Sequence, residues 1–213
     1  MQQERSWVHS QLSSSLCTNR FRVGDKLHHC WAVPMNLPPF KYHPDPLNTG
    51  SVVASAEGCE VCGQSRGFIY KGPIYCESEP EAICPWCIAD GSAHSKLQAE
   101  FVDKDCIGGG DWDSIRPEIA DEIAFRTPGF SGWQQERWFT HCSDGAEFLG
   151  PMGKQEVLKF GSDAVQAIRA EAGYDPDEWK YYFDSMDAER GPATAYLFKC
   201  RHCGKIGGYS DCY

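Results

Sequence analysis

The sequence predicts an α+β fold, and three observations support that class. Three C-x-x-C pairs, Cys59/Cys62, Cys84/Cys87 and Cys200/Cys203, have the spacing with which small loops hold zinc. Short β-prone runs flank these pairs, and helical periodicity fills much of the chain between the second and third pairs. The chain has 213 residues, 41% of them hydrophobic, which is enough for a packed core. We therefore expect a zinc-stabilised protein with a treble-clef-like finger, then a helical segment, then a C-terminal zinc knuckle.

Residues 1–34 differ in composition from the rest of the chain. They are rich in Ser, Gln and His, show no clear hydrophobic period, and are net positive, although the whole chain has a formal net charge of -10. We expect either a flexible tail or an upstream extension with Met35 as the working start, and we favour the second interpretation. Under both interpretations the potential metal ligands of this segment are incidental: Cys17, Cys30, His28 and His29.

The rest of the chain is expected to divide into a zinc module over residues 35–107 and a mixed helical and β module over residues 108–213. The first module opens with a proline-rich extended segment, followed by a strand in GSVVAS. The Cys59/Cys62 pair then predicts a zinc knuckle. Gly63 follows this pair at the position where the backbone must take a positive φ and aim its amides at sulfur.

Between the first two cysteine pairs, RGFIYKGPIYCE predicts a β-hairpin that turns at Lys71-Gly72-Pro73. Pro85 then favours the first turn of a helix. A knuckle, a hairpin and a C-x-x-C pair at a helix start are the layout of a treble clef. A thioredoxin-like reactive pair is the alternative, but ESEPEAI does not read as the buried parallel strand that it requires. Four thiolates would close a structural zinc site: Cys59, Cys62, Cys84 and Cys87.

Three helical segments are predicted in the second module. The first is capped by Ser114, has Pro117 in its first turn, and ends at Arg126. The second, QEVLKFGSDAVQAIRAEAG, has near-helical apolar spacing and ends at Gly173. Asp175 is expected to cap the third, which continues through WKYYFDSM.

The stretch RTPGFSGWQQERWFTHC is the densest mixture of aromatic and polar residues in the chain. The interpretation that we favour is that its aromatic side chains fill the core and that QQER is the solvent-exposed face of one helix. The alternative is a ligand groove, with aromatic stacking and polar contacts. Its lining residues would be Arg126, Trp133, Gln134 and Trp138.

A second zinc site is predicted from Cys142 and the Cys200/Cys203 pair, which follows the strand-like TAYLFK and precedes GGYSDCY. His141 is included in the predicted ligand set, although a direct neighbour of Cys142 can reach the same ion only with suitable loop geometry. If no protein group completes the shell, a water molecule would, as in hydrolytic zinc enzymes. The candidates for the fourth ligand are His141, His202, Cys212 and Asp144.

The acidic balance of the chain bears on its partners. A net charge of -10 disfavours nucleic acid, because binding to phosphates normally requires an excess of Lys and Arg. It favours a basic protein partner. The acidic residues near the third helix could dock that partner, although the interpretation that we favour is that they form a solvated face. These are Asp175, Asp177, Glu178, Asp184, Asp187 and Glu189.

The chain shows neither a membrane-length apolar run nor a secretory signal pattern. Together with the clustered cysteines, this predicts a protein of the reducing cytoplasm without a membrane association. The sequence specifies no oligomeric state.

Four strings in the chain are long and specific: FKYHPDPLNTGSVVAS, ICPWCIADGSAH, RTPGFSGWQQERWFTHC and YLFKCRHCG. Together they resemble the CbrC family of bacterial proteins over about residues 37–210. The resemblance implies a group without an established activity, whose named member is linked to tolerance of a nuclease colicin. The family pattern has another Cys shortly after the position of Cys142, where this chain has Ala146. This departure implies a second metal site that is weaker or is completed by a different residue.

The sequence thus predicts a protein that binds two zinc ions and acts in stress or bacteriocin tolerance by binding another macromolecule, rather than as an enzyme. One alternative is a zinc-dependent hydrolase or nuclease with an open second site, where His141 or Asp144 serves as base or ligand. Another is a zinc-dependent nucleic-acid binder that stacks bases on Trp133 and Trp138.

Overall fold

A computed structural model describes residues 36–189 and 191–213. These residues form short helices and small antiparallel sheets, which confirms the predicted α+β class. The expectations for residues 1–34, and for Met35 as the start, lie outside the described residues. The predicted boundary between residues 107 and 108 stays a prediction.

The described residues contain seven strands and six α-helices. The strands are β1 (Val52–Ala54), β2 (Phe68–Tyr70), β3 (Thr140–His141), β4 (Asp144–Gly145), β5 (Glu147–Met152), β6 (Ala193–Lys199) and β7 (Ile206–Cys212). The helices are α1 (Pro85–Ala89), α2 (Ser92–Leu97), α3 (Pro117–Arg126), α4 (Lys154–Lys159), α5 (Ser162–Ala172) and α6 (Pro176–Asp184). None of the helices in this part of the chain is long and apolar enough to cross a lipid bilayer.

The largest sheet has the strand order β5-β6-β7, and its central strand separates two cores. Side chains on β6 alternate between the two faces of the sheet. Tyr196 and Phe198 pack into an aromatic cluster around Trp138, whereas Ala195 and Leu197 pack against the cluster formed with α4, α5 and α6. Because both faces are covered, all residues of β6 except the last are buried. This explains the continuous apolar run that predicted the strand.

A third core surrounds the first cysteine tetrad. The buried thiols of Cys59, Cys84 and Cys87 pack with Ile83 and Phe101 among other apolar side chains. The metal-ligand candidates of the first module are therefore part of its hydrophobic core.

The predicted hairpin at Lys71-Gly72-Pro73 is wrong. β2 pairs instead with β1, with Val52 opposite Tyr70, so GSVVAS supplies the partner strand. Beyond β2, the Lys71 N–H donates to the Ser51 carbonyl, and Pro73 has no N–H with which to form a ladder. Val52, Ile69 and Tyr70 of these two strands are buried, which favours the longer-range pairing.

Two helix predictions need correction. Ser114 does not cap α3, which begins at Pro117 with Arg116 at the N-cap position in an extended conformation. Proline disfavours the helical region for the residue before it, which accounts for the extended Arg116 and for a helix that begins at Pro117. The second predicted helix is two helices, because Gly161 has a φ of 88° between α4 and α5. The end at Gly173 and the Asp175 cap of α6 are confirmed.

Strand β5 was not predicted from the sequence. It contains Gly150 and Pro151, which normally argue against a strand. The structure places β5 at the edge of the sheet, with a register irregularity between Phe148 and Gly150. At an edge the proline nitrogen does not interrupt a ladder.

Candidate metal centres

The first half of the first tetrad is a knuckle between Cys59 and Gly63. Gly63 has the predicted positive φ, 70°, and its N–H donates to the Cys59 carbonyl at 2.7 Å. The Cys59 N–H in turn donates to the Gln64 carbonyl at 3.0 Å. These two bonds close a tight loop, which turns the sulfurs of Cys59 and Cys62 in one direction.

The second half of this tetrad is the start of α1. Cys84 is the N-cap residue, Pro85 follows it as the first helical residue, and Cys87 lies one turn further on. The two halves meet where the Cys84 N–H donates to the Cys59 sulfur at 3.2 Å. The thiols of Cys59, Cys62, Cys84 and Cys87 all lie within 4.8 Å of one another and could hold a metal ion.

The spacing of these sulfurs fits a tetrahedral ion. The Cys59–Cys87 and Cys62–Cys84 sulfur pairs are each separated by 3.9 Å. A zinc–sulfur bond of about 2.3 Å gives tetrahedral sulfur–sulfur edges of about 3.8 Å. The tetrad is also well shielded, since Cys59, Cys84 and Cys87 are at most 2% exposed.

The electrostatics of the first tetrad favour a bound cation. Burial opposes the Cys59 thiolate, but N–H donors from Cys84, Cys62 and Val61 outweigh it and lower the pKa of Cys59 to about 7. Burial raises the pKa of Cys84 to about 11 and that of Cys87 further. One thiol therefore ionises readily while its neighbours resist, and a dication would supply the charge that the remaining thiolates need.

The C-terminal pair repeats the knuckle of the first tetrad. Between β6 and β7, the Gly204 N–H donates to the Cys200 carbonyl at 3.0 Å, and the Cys200 N–H donates to the Lys205 carbonyl at 2.8 Å. Gly204 has a φ of 75°. The two knuckles thus share one hydrogen-bond pattern, and β6 and β7 hold the second as the end of a hairpin.

The other half of the second tetrad is the tight turn between β3 and β4. Cys142 and Ser143 both have left-handed backbones, with φ of 55° and 57°. Two positive φ values in a two-residue loop define the turn that matches the twist of a hairpin. The turn brings two adjacent side chains to one point: His141 Nδ1 lies 3.2 Å from Cys142 Sγ and 3.5 Å from Cys203 Sγ.

His141, Cys142, Cys200 and Cys203 form the second group that could hold a metal ion. Its nitrogen–sulfur distances approach the roughly 3.6 Å expected at a tetrahedral zinc with one His and three Cys ligands. Of the four candidates for the fourth ligand, the structure therefore brings His141 to the sulfurs.

The remaining candidates for that position are engaged elsewhere. His202 Nε2 lies 3.0 Å from Asp144 Oδ2, and Asp144 also accepts hydrogen bonds from Tyr42 and Arg201. Cys212 lies at the opposite end of β7 from the knuckle, where it pairs with Ala193.

The second tetrad is more accessible than the first. Cys142 and Cys203 are exposed, while Cys200 is buried. Burial opposes the Cys200 thiolate, but N–H donors of Cys203 and His202 lower the pKa of Cys200 to about 6. Desolvation and the neighbouring thiols raise the pKa of Cys142 to about 11. As in the first tetrad, a cation would relieve the crowding of thiolates.

Comparison with known proteins identifies the family of this chain. A family model described as an uncharacterised protein family, UPF0167, matches residues 37–212. The chain belongs to the UPF0167 family. The UPF0167 proteins of Mycobacterium bovis and Mycobacterium tuberculosis are each 46% identical to it over 187 residues, which cover 84% of this chain and 96% of theirs.

A further UPF0167 relative, from Pseudomonas aeruginosa, is 39% identical over 172 residues, or 79% of this chain and 93% of its own. No solved structure matches the chain. The description of the family assigns it no activity, so the function must be argued from the two tetrads.

The residues of the predicted ligand groove have different surroundings in this UPF0167 protein. Trp138 has no exposed surface and donates its indole N–H to the Ala146 carbonyl within the aromatic core. Arg126 donates to the Ala89 carbonyl, and the Gln134 side chain donates to the Cys212 carbonyl. Trp133 is 45% exposed and lines a cavity of about 220 Å³. Trp138 therefore has a core role, as in the interpretation that we favoured.

The helix that we expected for QQER is absent, since the described residues from 131 to 137 are irregular. Glu136 in this run is buried and accepts a hydrogen bond from Tyr75 at 2.6 Å. The segment is held by contacts to distant residues rather than by helical hydrogen bonds.

Proposed function

We propose that this UPF0167 protein binds two zinc ions, one at each tetrad. The observation that best supports this proposal is that two sets of four donor atoms converge at tetrahedral spacing. Each set includes a knuckle, and the two knuckles have the same hydrogen-bond pattern. Soft thiolates with one imidazole are donor sets typical of zinc, and a reducing cytoplasm would keep the thiols free.

The first site fits a structural role in a treble-clef-like module. Its four thiolates come from a knuckle and a helix start, as in that fold, although the intervening strand pairs with β1. Four thiolates would fill the tetrahedral shell and leave no position for a substrate, so the ion would link residues 59–62 to residues 84–87 across the core. When bound, zinc supplies positive charge to the thiolates and cross-links the loops.

The second site differs in exposure and composition. Three sulfurs and one imidazole nitrogen would complete four-coordination of an ion without a water molecule. This supports a second structural ion more strongly than the hydrolase alternative, which requires an open position.

Zinc content per chain, measured by elemental analysis on reduced protein, tests the proposal. We expect two zinc ions in the wild type and one in Cys142→Ser. Cys106→Ser is the matched control, because Cys106 belongs to neither tetrad, and it should retain two. A wild type that binds no zinc under reducing conditions would contradict the proposal.

A second part of the proposal concerns the partner. We propose that the acidic surface at α6 docks a basic protein, in line with the tolerance role that the CbrC resemblance implies. Its acidic residues are all exposed, and Tyr181 in their midst is 75% exposed. Tyrosine is one of the residue types enriched among the energetically dominant positions of protein interfaces. The residues are Asp175, Asp177, Glu178, Asp184, Asp187 and Glu189.

Binding to a basic nuclease domain, measured at 50 mM and 500 mM salt, tests this surface. We expect salt-sensitive binding that weakens in a Asp177→Asn/Glu178→Gln variant. A duplex and single-stranded DNA shift assay separates the nucleic-acid alternative, for which the buried Trp138 offers no stacking face. Binding to DNA but to no basic protein would contradict the proposed protein partner and support the nucleic-acid alternative.

A further inference from the structure

The Asp144 carboxylate connects the two halves of the second tetrad. It lies on β4, opposite His141 in the β3–β4 ladder, and its side chain is 7% exposed. Oδ1 accepts hydrogen bonds from the Tyr42 hydroxyl at 2.7 Å and the Gly145 N–H at 2.9 Å. Both lone-pair directions of this oxygen are thus occupied by protein donors.

The other carboxylate oxygen holds the C-terminal knuckle. Oδ2 lies 2.9 Å from Arg201 Nη1 and 3.0 Å from His202 Nε2. Arg201 and His202 are the two residues between Cys200 and Cys203. One buried carboxylate therefore contacts both intervening residues of a C-x-x-C pair, while its own backbone continues from the turn that carries Cys142.

We propose that Asp144 is a positioning residue for the second metal site. It fixes the Cys200–Cys203 knuckle against the β3–β4 turn, so that the donors are close to their bound geometry before an ion arrives. The proposal rests on metal binding at this tetrad. Groups that orient metal ligands from outside typically change affinity by about 10–100-fold when removed.

In the first tetrad, the carboxylate of Glu60 makes a similar connection between the knuckle and the segment that carries the other ligands. Glu60, between Cys59 and Cys62, accepts hydrogen bonds from the N–H groups of Glu81 and Ala82 at 2.7 and 3.1 Å. These residues lie just before Cys84. In both tetrads a carboxylate therefore ties the knuckle to the segment that supplies the other ligands.

Burial distinguishes Asp144 from the other carboxylate near Arg201. Glu147 lies 3.7 Å from Arg201 Nε, but its side chain is 35% exposed. An exposed ion pair of this length contributes little. Glu147→Gln is therefore a matched control, since it makes the same chemical change on the same arginine.

The test is a cobalt titration of reduced full-length protein, which resolves the two sites by their cobalt–thiolate charge-transfer bands. Competition with zinc then gives the zinc affinity of each site. In Asp144→Asn we expect the second-site dissociation constant to rise about 10–100-fold, while the first site stays within twofold. Glu147→Gln should leave both sites within twofold. If Asp144→Asn does not fold, Arg201→Ala/His202→Ala removes the same two contacts to Oδ2 and leaves the Oδ1 hydrogen bonds from Tyr42 and Gly145 in place.

The outcomes separate this inference from the proposed function. A wild type that binds cobalt or zinc at only the first tetrad overturns the second site and this inference with it. A wild type that binds two ions, with a second-site change below tenfold in Asp144→Asn or in the double variant, overturns the positioning role alone. A loss of affinity at both sites in Asp144→Asn would indicate general destabilisation and would also overturn it.

Discussion

His141 Nδ1 and Cys142 Sγ lie 3.2 Å apart although the two residues are adjacent in the chain. Neighbours on an extended strand point to opposite faces, so they cannot share an ion. The left-handed backbones of Cys142 and Ser143 remove this conflict, because they reverse the chain in a two-residue turn. The second site therefore depends on a turn rather than on a spacing motif.

Replacing the imidazole tests this relationship. His141→Ala should weaken the second site by more than about 100-fold, because three thiolates remain and water must complete the shell. His141→Cys should restore binding with a cobalt spectrum of four thiolates. Unchanged second-site affinity in His141→Ala would show that another group is the fourth donor.

The two ions should differ in exchange rate. Cys142 and Cys203 are exposed, whereas three thiols of the first tetrad are at most 2% exposed. With excess chromogenic chelator we expect zinc release in two phases, the fast phase from the second tetrad. Cys142→Ser should lack the fast phase and keep the slow one. Loss of the slow phase instead would reverse the assignment.

The knuckle glycines should contribute equally to their two sites. Gly63 and Gly204 have φ of 70° and 75°, and an added methyl group would meet no atom closer than 3.9 Å. Replacement of either glycine by alanine should therefore cost only the strain of a side chain on a left-handed backbone. This strain is about 1 kcal/mol, or roughly a fivefold loss of metal affinity.

The measurement is zinc competition on Gly63→Ala and Gly204→Ala, each expected to affect its own tetrad. Gly173→Ala is the control, because Gly173 has a φ of 70° at the end of α5, away from both tetrads. It should lower stability without changing either affinity. Equal effects of Gly63→Ala on both sites would count against independent knuckles.

Acid should destabilise the fold through His43. Burial lowers the pKa of His43 to about 4, despite a hydrogen bond to the Pro128 carbonyl and the charge of Asp45, both of which raise it. In the unfolded chain, His43 is protonated below its ordinary pKa of 6.5, whereas in the folded protein it stays neutral down to about pH 4. The contribution of neutral His43 to the free energy of unfolding is therefore fully present above pH 6.5 and is lost as the pH falls toward 4. The loss amounts to about 3 kcal/mol.

Chemical denaturation at pH 7 and pH 5 measures this effect. His43→Gln should be less stable than the wild type at pH 7, and the difference should shrink at pH 5. Metal release in acid affects both proteins, so their difference isolates His43. A difference that is the same at both pH values would contradict a neutral buried imidazole.

The knuckles were predictable because their information is local. A C-x-x-C pair followed by Gly specifies both the loop and its left-handed residue. The structure confirms this prediction at Gly63, and Gly204 has the same conformation. The Asp175 cap and the helix end at Gly173 were predictable for the same reason.

The features that the sequence analysis missed depend on distant partners. β2 pairs with β1 rather than with the chain after Gly72, and β5 tolerates Pro151 because it lies at an edge. The fourth donor remained open because a left-handed Cys142-Ser143 turn has no signature in residue type. Tyr42 and Asp144 meet across 102 positions, which no spacing motif reports.

X-ray absorption at the zinc edge of the fully loaded protein tests the central claim most directly. Two closed sites share seven sulfurs and one nitrogen, so the account predicts an average zinc shell of about 3.5 sulfurs and about 0.5 nitrogen at tetrahedral distances. In Cys142→Ser, with one ion, the average should move to four sulfurs. An oxygen-rich shell in the wild type, or fewer than three sulfurs per zinc, would contradict it.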